Sequence, residues 1–321
     1  MNRREFITLL GGAGAWPVVA RAQQPVIPVV GYFFGGGAEA GVEAAFREGL
    51  SETGYVQGKN VVIEYRWAQH EFDRLPDLAA DLVQRRVSVI AVGGGTAVPL
   101  AAKAATATIP IIFGIGGDPV KFGLVTSFNR PGGNVTGISF LTDELVPKRV
   151  GLLHELVPGA VRFALLVNPN TPNTETVIRD AQSAASAIGQ QIEVLTASTN
   201  RDIDMAFASL MQKRADALLV APGVLFSNRR VQLVTLAARD AVPAIYFDRL
   251  FAQVGGLMSY GANISDVMRQ VGIYTGRVLK GEKPADMPVM QPTKFELVIN
   301  LQTARTLGLD VPPQLLARLT R

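Results

Sequence analysis

The sequence contains no cysteine. That excludes disulfides, thiolate metal sites and a cysteine nucleophile, and it leaves no residue for the thioether of a lipoprotein anchor. Histidine is nearly as scarce. Only His70 and His154 occur, in no His-Glu-x-x-His spacing, so a zinc site would have to draw most of its ligands from carboxylates. No Gly-x-Ser-x-Gly elbow and no phosphate loop ending in Gly-Lys-Ser/Thr is present, which removes the common hydrolase and nucleotide signals. Lys and Arg form no run, and the net charge of +4 is small for 321 residues, so composition gives nucleic-acid binding no support. Together these absences lead to the expectation of a non-catalytic protein with no cofactor and no metal.

What is present begins at the N-terminus. Arg3-Arg4-Glu5-Phe6-Ile7 opens a mildly apolar run to Ala20, diluted by Gly11, Gly12 and Gly14 and followed by Ala20-Arg21-Ala22. The run is shorter than the roughly 20 residues a membrane span needs. A basic start, a short apolar middle and a small-x-small end make residues 1–22 a signal peptide, and the paired arginines mark it as twin-arginine type. The expectation is a mature chain exported to the periplasm, soluble, with no membrane insertion.

Beyond it, short Val- and Ile-rich runs alternate with helical stretches: strands at 26–34, 61–67, 89–92 and 110–113, helices at 40–52, 74–85 and 98–105. This is βαβ grammar, a parallel sheet covered by helices on both faces. The order recurs with strands at 162–167, 192–195, 217–220 and 244–247 and helices at 174–188, 202–214 and 228–239. Residues 81–95 align without a gap on 209–223, placing Gln84 on Gln212, Arg86 on Arg214, Val92 on Val220 and Gly95 on Gly223. The reading is two similar α/β lobes, each a doubly wound parallel sheet. After them come a strand at 257–260, an amphipathic helix at 264–279, a strand at 296–300 and a short helix. Such extra elements imply that the chain crosses back, joining the lobes by a multi-crossover hinge. The expected division is 25–144 plus 262–290 for the N-terminal lobe and 145–261 plus 291–321 for the C-terminal lobe.

In open parallel sheets ligands bind beyond the carboxyl ends of the strands. Those loops hold Phe33, Phe34, Thr96 and Asp118 in the first half and Asn168, Thr171, Pro222 and Asp248 in the second, with Phe226 and Tyr260 as further rings nearby. Helix N-termini there offer free N–H groups to an anion. Thr96, behind three glycines, either binds a carboxylate or caps its helix. Asp118 and Asp248 either take a ligand ammonium or serve locally, as a cap and as a partner of Arg249. The aromatic residues are either core or a flat wall for a ring. Gly35-Gly36-Gly37-Ala38-Glu39-Ala40 matches a dinucleotide turn, but the next strand ends Glu64-Tyr65-Arg66-Trp67-Ala68 with no acidic tip, so a ligand approaching bare backbone is the better reading.

Asp118-Pro119-Val120, Gly123-Leu124-Val125, Pro131-Gly132-Gly133-Asn134-Val135-Thr136-Gly137, Glu155-Leu156-Val157-Pro158, Asn168-Pro169, Gly255-Gly256-Leu257-Met258-Ser259-Tyr260-Gly261 and Leu279-Lys280-Gly281 resemble the ABC transporter substrate-binding family with tryptophan- and tyrosine-binding members. The resemblance implies a type I periplasmic binding fold with three crossovers and partnership with a permease and an ATPase. It also implies a monomer that closes on an amino acid or related ligand. By position it puts ligand loops at Phe33, Thr96, Asp118, Asn173 and from Pro222 onward. There Gly223-Val224-Leu225-Phe226 is less polar than the family pattern, which favours an aromatic acid or another mostly apolar carboxylate. A ligand-sensing module feeding a membrane receptor, or a cleft enzyme, are the alternatives.

Overall fold

The computed structural model describes residues 27–292 and 295–320. The expected signal peptide lies outside the described residues.

The first lobe runs β1 (Val29–Phe34), α1 (Ala40–Glu52), β2 (Val62–Trp67), α2 (Leu75–Gln84), β3 (Val89–Gly93), α3 (Ala97–Ala105), β4 (Ile111–Ile115) and β5 (Val135–Ser139). Its sheet is parallel in the order β2-β1-β3-β4-β5. β3 shows why its sequence is apolar throughout. Val89 and Ala91 pack with Phe46 and Val271 on one face, while Ile90 and Val92 pack with Leu82 and Val98 on the other. A central parallel strand is buried on both sides and cannot alternate. Each fully buried side chain of this kind contributes about 1.5–3 kcal/mol.

The second lobe runs α4 (Val146–Leu156), β6 (Arg162–Val167), α5 (Thr174–Ala187), β7 (Gln191–Thr196), α6 (Asn200–Gln212), β8 (Ala217–Val220), α7 (Val224–Asn228), α8 (Arg230–Arg239), β9 (Ala244–Tyr246), α9 (Arg249–Gln253) and β10 (Met258–Ala262). The chain then passes through α10 (Ile264–Leu279), β11 (Phe295–Ile299), α11 (Leu301–Thr306) and α12 (Pro313–Leu316). The second sheet has the order β7-β6-β8-β9-β10-β11, with β11 alone antiparallel. Strands β6 to β10 repeat the order of β1 to β5, as a duplication would leave them. The aligned Arg86 and Arg214 share a left-handed backbone, φ 54° and 52°.

Helix α10 returns to the first lobe. A Cβ on its Gly272 would stand 2.2 Å from the Phe46 carbonyl oxygen, and one on Gly49 of α1 would stand 1.8 Å from the Arg269 carbonyl oxygen. Only bare backbone lets these two helices approach so closely. Strand β11 then rejoins the second sheet beside β10. The chain therefore passes between the lobes three times, after β5, after β10 and before β11. Near the first two passages Arg149 of α4 is fully buried, donating from Nε to the Tyr260 carbonyl at 2.8 Å and from Nη1 to the Thr142 carbonyl at 3.0 Å. Both elements are thereby tied to one side chain.

Several expected boundaries shift. β5 and α4 were not anticipated. The helix expected over 228–239 is α8, starting at Arg230; the short α7 before it, set off at Arg229 (φ −99°, ψ 19°), was not anticipated. Among the described residues no helix is long and apolar enough to cross a membrane.

Candidate functional site

The carboxyl ends of both parallel sheets face one another across a cleft. In the first lobe β1 ends at Phe34, whose register partner on β2 is Trp67. Both rings are half-buried and continue an aromatic series: Phe34 lies parallel to Tyr32 at 5.9 Å, and Trp67 parallel to Tyr65 at 5.3 Å. The Phe34 ring rests on the turn after β3. A Cβ on Gly94 would stand 2.9 Å from it, and Gly94 has φ +77°, so this turn needs glycine for space and for conformation. Thr96 follows at the start of α3. Its hydroxyl makes no capping hydrogen bond among the described residues, and Oγ1 lies 3.3 Å from where a Cβ on Gly117 would stand, beside the loop after β4. Capping does not consume Thr96.

Asp118 is spent locally. Its Oδ1 accepts from the Val120 and Lys121 backbone N–H at 2.8 and 3.3 Å. Phe33 points the other way from Phe34, fully buried among Leu75, Leu82 and Val98.

In the second lobe Asn168 forms a turn, its Oδ1 accepting from Asn170 N at 3.0 Å. Thr171 is half-buried in the same loop, and its carbonyl accepts from Thr174 N. Asn173 precedes α5 without capping it and faces Asp143 instead. Burial pushes the Asp143 carboxyl up to about 6, against the opposing pull of the Arg149 guanidinium and the Asn173 amide. Asp248 is 8 % exposed and caps α9, Oδ1 accepting from Leu250 N at 2.8 Å. Burial pushes it too up to about 6, from an ordinary 3.8; the Leu250 N–H and Arg230 oppose the rise, while Glu39 and Glu296 add to it. It does not pair with Arg249, which binds Glu296 at 3.1 Å. Phe226 is fully buried in the lobe's own core, whereas Tyr260 is half-buried and tilts on Phe295 at 6.1 Å. Pro222 and Gly223 lead into α7, whose Val224 methyl lies 3.0 Å from where a Cβ on Gly95 of the other lobe would stand.

The lobes thus touch across the cleft. Asn228 Nδ2 lies 2.9 Å from His70 Nδ1, and Arg230 Nη1 lies 3.4 Å from Glu39 Oε1. None of the four, nor Asp143 and Arg149, was among the expected site residues. Arg149 carried a readable signal: it interrupts the apolar stripe Val146, Val150, Leu153 of α4. The two surface depressions of about 480 and 520 Å3 lie elsewhere, one beside α6 and β7 and one against α1. Among the described residues no cluster of His, Cys, Asp and Glu is disposed to hold a metal.

Two parallel-sheet lobes, three passages and a polar cleft at the strand ends define a type I periplasmic binding fold. The chain belongs to the ABC transporter substrate binding protein family, whose model matches residues 32–321. Among its relatives is a tyrosine-binding protein from Clostridioides difficile, 27 % identical over 265 residues, 83 % of this chain and 76 % of the relative. Among solved structures, a conserved domain protein from Vibrio cholerae superposes with a TM-score of 0.84 at 26 % identity, covering 92 % of this chain and 99 % of the other. An ABC domain in complex with L-Trp from Streptococcus pneumoniae gives 0.82 at 23 % identity, covering 91 % and 98 %. Substrate-binding proteins of this kind capture a solute and are not enzymes.

Proposed function

We propose that this chain is the exported, periplasmic, monomeric receptor of an ABC importer, delivering an amino acid or aromatic acid to a permease driven by its ATPase. The twin-arginine pattern at Arg3-Arg4 supports export. The observation that carries the ligand reading is the pairing of a hydroxyl that caps nothing with a buried carboxyl that commits only Oδ1, to the cap of α9. One is the Thr96 hydroxyl at the N-terminus of α3 on one lobe; the other is the buried Asp248 carboxyl on the facing lobe. A carboxylate suits the first, where N–H groups and a hydroxyl converge, and an ammonium suits the second, where it would neutralise a desolvated acid. Phe34, Trp67 and Tyr260 offer half-buried rings between these ends, matched to an aromatic side chain. The tyrosine- and tryptophan-binding relatives support the same class.

The test is a thermal-shift screen over L-tyrosine, L-tryptophan, the branched amino acids and aromatic carboxylates. A ligand at about 100 times its Kd stabilises the folded state by about 2.7 kcal/mol, so at least one compound is expected to raise Tm by several degrees. Thr96→Ala and Asp248→Asn are expected to remove that response while the unliganded Tm stays within a few degrees of the parent. No response from any compound, or the parent's response in both variants, would overturn the assignment.

A further inference from the structure

Two direct side-chain contacts between the lobes lie at the cleft, Asn228 to His70 and Arg230 to Glu39. The loop after β2 carries Gln69 and His70 in consecutive left-handed conformations, φ 54° and 69°. Non-glycine residues rarely adopt this conformation without a reason in the surroundings. Here the reason is visible. Gln69 N and His70 N donate to the Gly36 and Gly35 carbonyls at 3.2 and 2.9 Å, and a Cβ on Gly36 would stand 2.8 Å from His70 Cε1. The loop is pinned to the turn after β1, with the imidazole against that turn. Across the cleft, the Asn228 side chain meets it with Nδ2 at 2.9 Å from His70 Nδ1. The same Nδ2 also donates to the Val224 carbonyl within α7. That second bond fixes which end of the amide faces the ring, because turning the amide over would set Oδ1 against the carbonyl. His70 Nδ1 must therefore accept, which requires the neutral imidazole carrying its proton on Nε2.

We propose that this contact is a proton-sensitive latch: the Asn228–His70 hydrogen bond, backed by the Arg230–Glu39 pair, holds the lobes together while His70 is neutral and releases them when it is protonated. The inference rests on reading the cleft as a closing clamp and adds how closure is controlled. The charged groups facing His70 are Glu39 at the start of α1, and Arg229 and Arg230 at the α7–α8 junction. Burial holds the imidazole below its ordinary range, Arg229 adds to that and Glu39 opposes it. The sign follows. A histidine held lower in the closed form than in the open one contributes closure that is present above its open-state value and is lost as pH falls through the closed-state value. A ligand captured near neutrality would be held less firmly in acid.

The absence of cysteine makes the test clean. Asp77 of α2 and Thr235 of α8 are both exposed, and their helices begin beside the latch. Replacing both by cysteine and spin-labelling them allows the interlobe distance distribution to be recorded without ligand. The reference is His70→Asn, which keeps an acceptor, tolerates a left-handed backbone and does not titrate. It also keeps Asp143 and Asp248, whose titration acts on both proteins alike. At about pH 8 the parent and His70→Asn should show similar short-distance populations; at about pH 5.5 the parent should lose most of its share relative to His70→Asn. Asn228→Ala should lose the short-distance population already at about pH 8. Identical pH responses in the parent and His70→Asn, or a fully closed Asn228→Ala, would overturn the latch. Either result leaves the ligand screen untouched, so failure of the latch is distinguishable from failure of the capture reading.

Discussion

Asp248 and Asp143 hold their protons far more readily than ordinary aspartates because the burial of each carboxyl outweighs the groups that oppose it. The consequence for binding has a definite sign. An aspartate whose folded value is raised contributes stability below its unfolded value of 3.8 and loses it as pH rises through about 6. An ammonium placed against it reverses the preference, so ligand capture at about pH 6 should expel a proton. Calorimetric titrations in two buffers of different ionisation enthalpy are expected to show release of a sizeable fraction of one proton at that pH and none near pH 8. Uptake, or no dependence on buffer, would remove Asp248 from the ligand site. Arg149 makes a second residue-level case. Its guanidinium serves two buried carbonyls and leaves Nη2 without a partner among the described residues. Arg149→Met would orphan both carbonyls, each at about 1–3 kcal/mol. Urea unfolding should therefore show a loss of about 2–6 kcal/mol, and an unchanged midpoint would contradict the role assigned to it. The sequence could point to Thr96 and Asp248 because both precede helices at strand ends. It could not tell Phe33 from Phe34, which alternate to opposite faces of β1 with equal chemistry, nor decide between the ligand and local roles left open for Asp118, whose Oδ1 serves its own turn.

Among the elements, α10 decides how the fold closes. It leaves the second lobe after β10 and packs its glycines against α1, far away in sequence. Gly272→Ala poses a contest between two effects. Alanine gains about 1 kcal/mol in helix propensity, yet its Cβ would lie 2.2 Å from the Phe46 carbonyl oxygen. A backbone collision that close forces the helices apart at about 1–3 kcal/mol or more, so the variant should be less stable than the parent by thermal unfolding. A more stable variant would show that the α1–α10 seam is looser than described. Helix α10 itself was legible from its amphipathic period, and in the structure Asn263 caps it, Oδ1 accepting from Asp266 N. Strand β5 was hidden because Pro131-Gly132-Gly133-Asn134 reads as a turn and the strand that follows, Val135–Ser139, includes a glycine. Helix α7 was hidden because its five residues, Val224–Asn228, are too few to show a helical period.

At the scale of the whole molecule, the repeated strand order was readable because duplication preserved both the βαβ period and the residues of the segments 81–95 and 209–223. The interlobe contacts were not, since His70, Asn228, Glu39 and Arg230 are ordinary polar residues far apart in the chain. Only the geometry that brings two sheet ends together reveals them. A clamp of this kind works by differential affinity: the ligand binds the closed arrangement more tightly than the open one and shifts the population accordingly. The most direct measurement is the Asp77→Cys/Thr235→Cys distance distribution at about pH 8 in the Asn228→Ala background, titrated with whichever compound raises Tm most. The expected result is a saturable transfer from a long to a short distance at one ligand per chain. A distribution that stays fixed while the compound binds would contradict capture by closure.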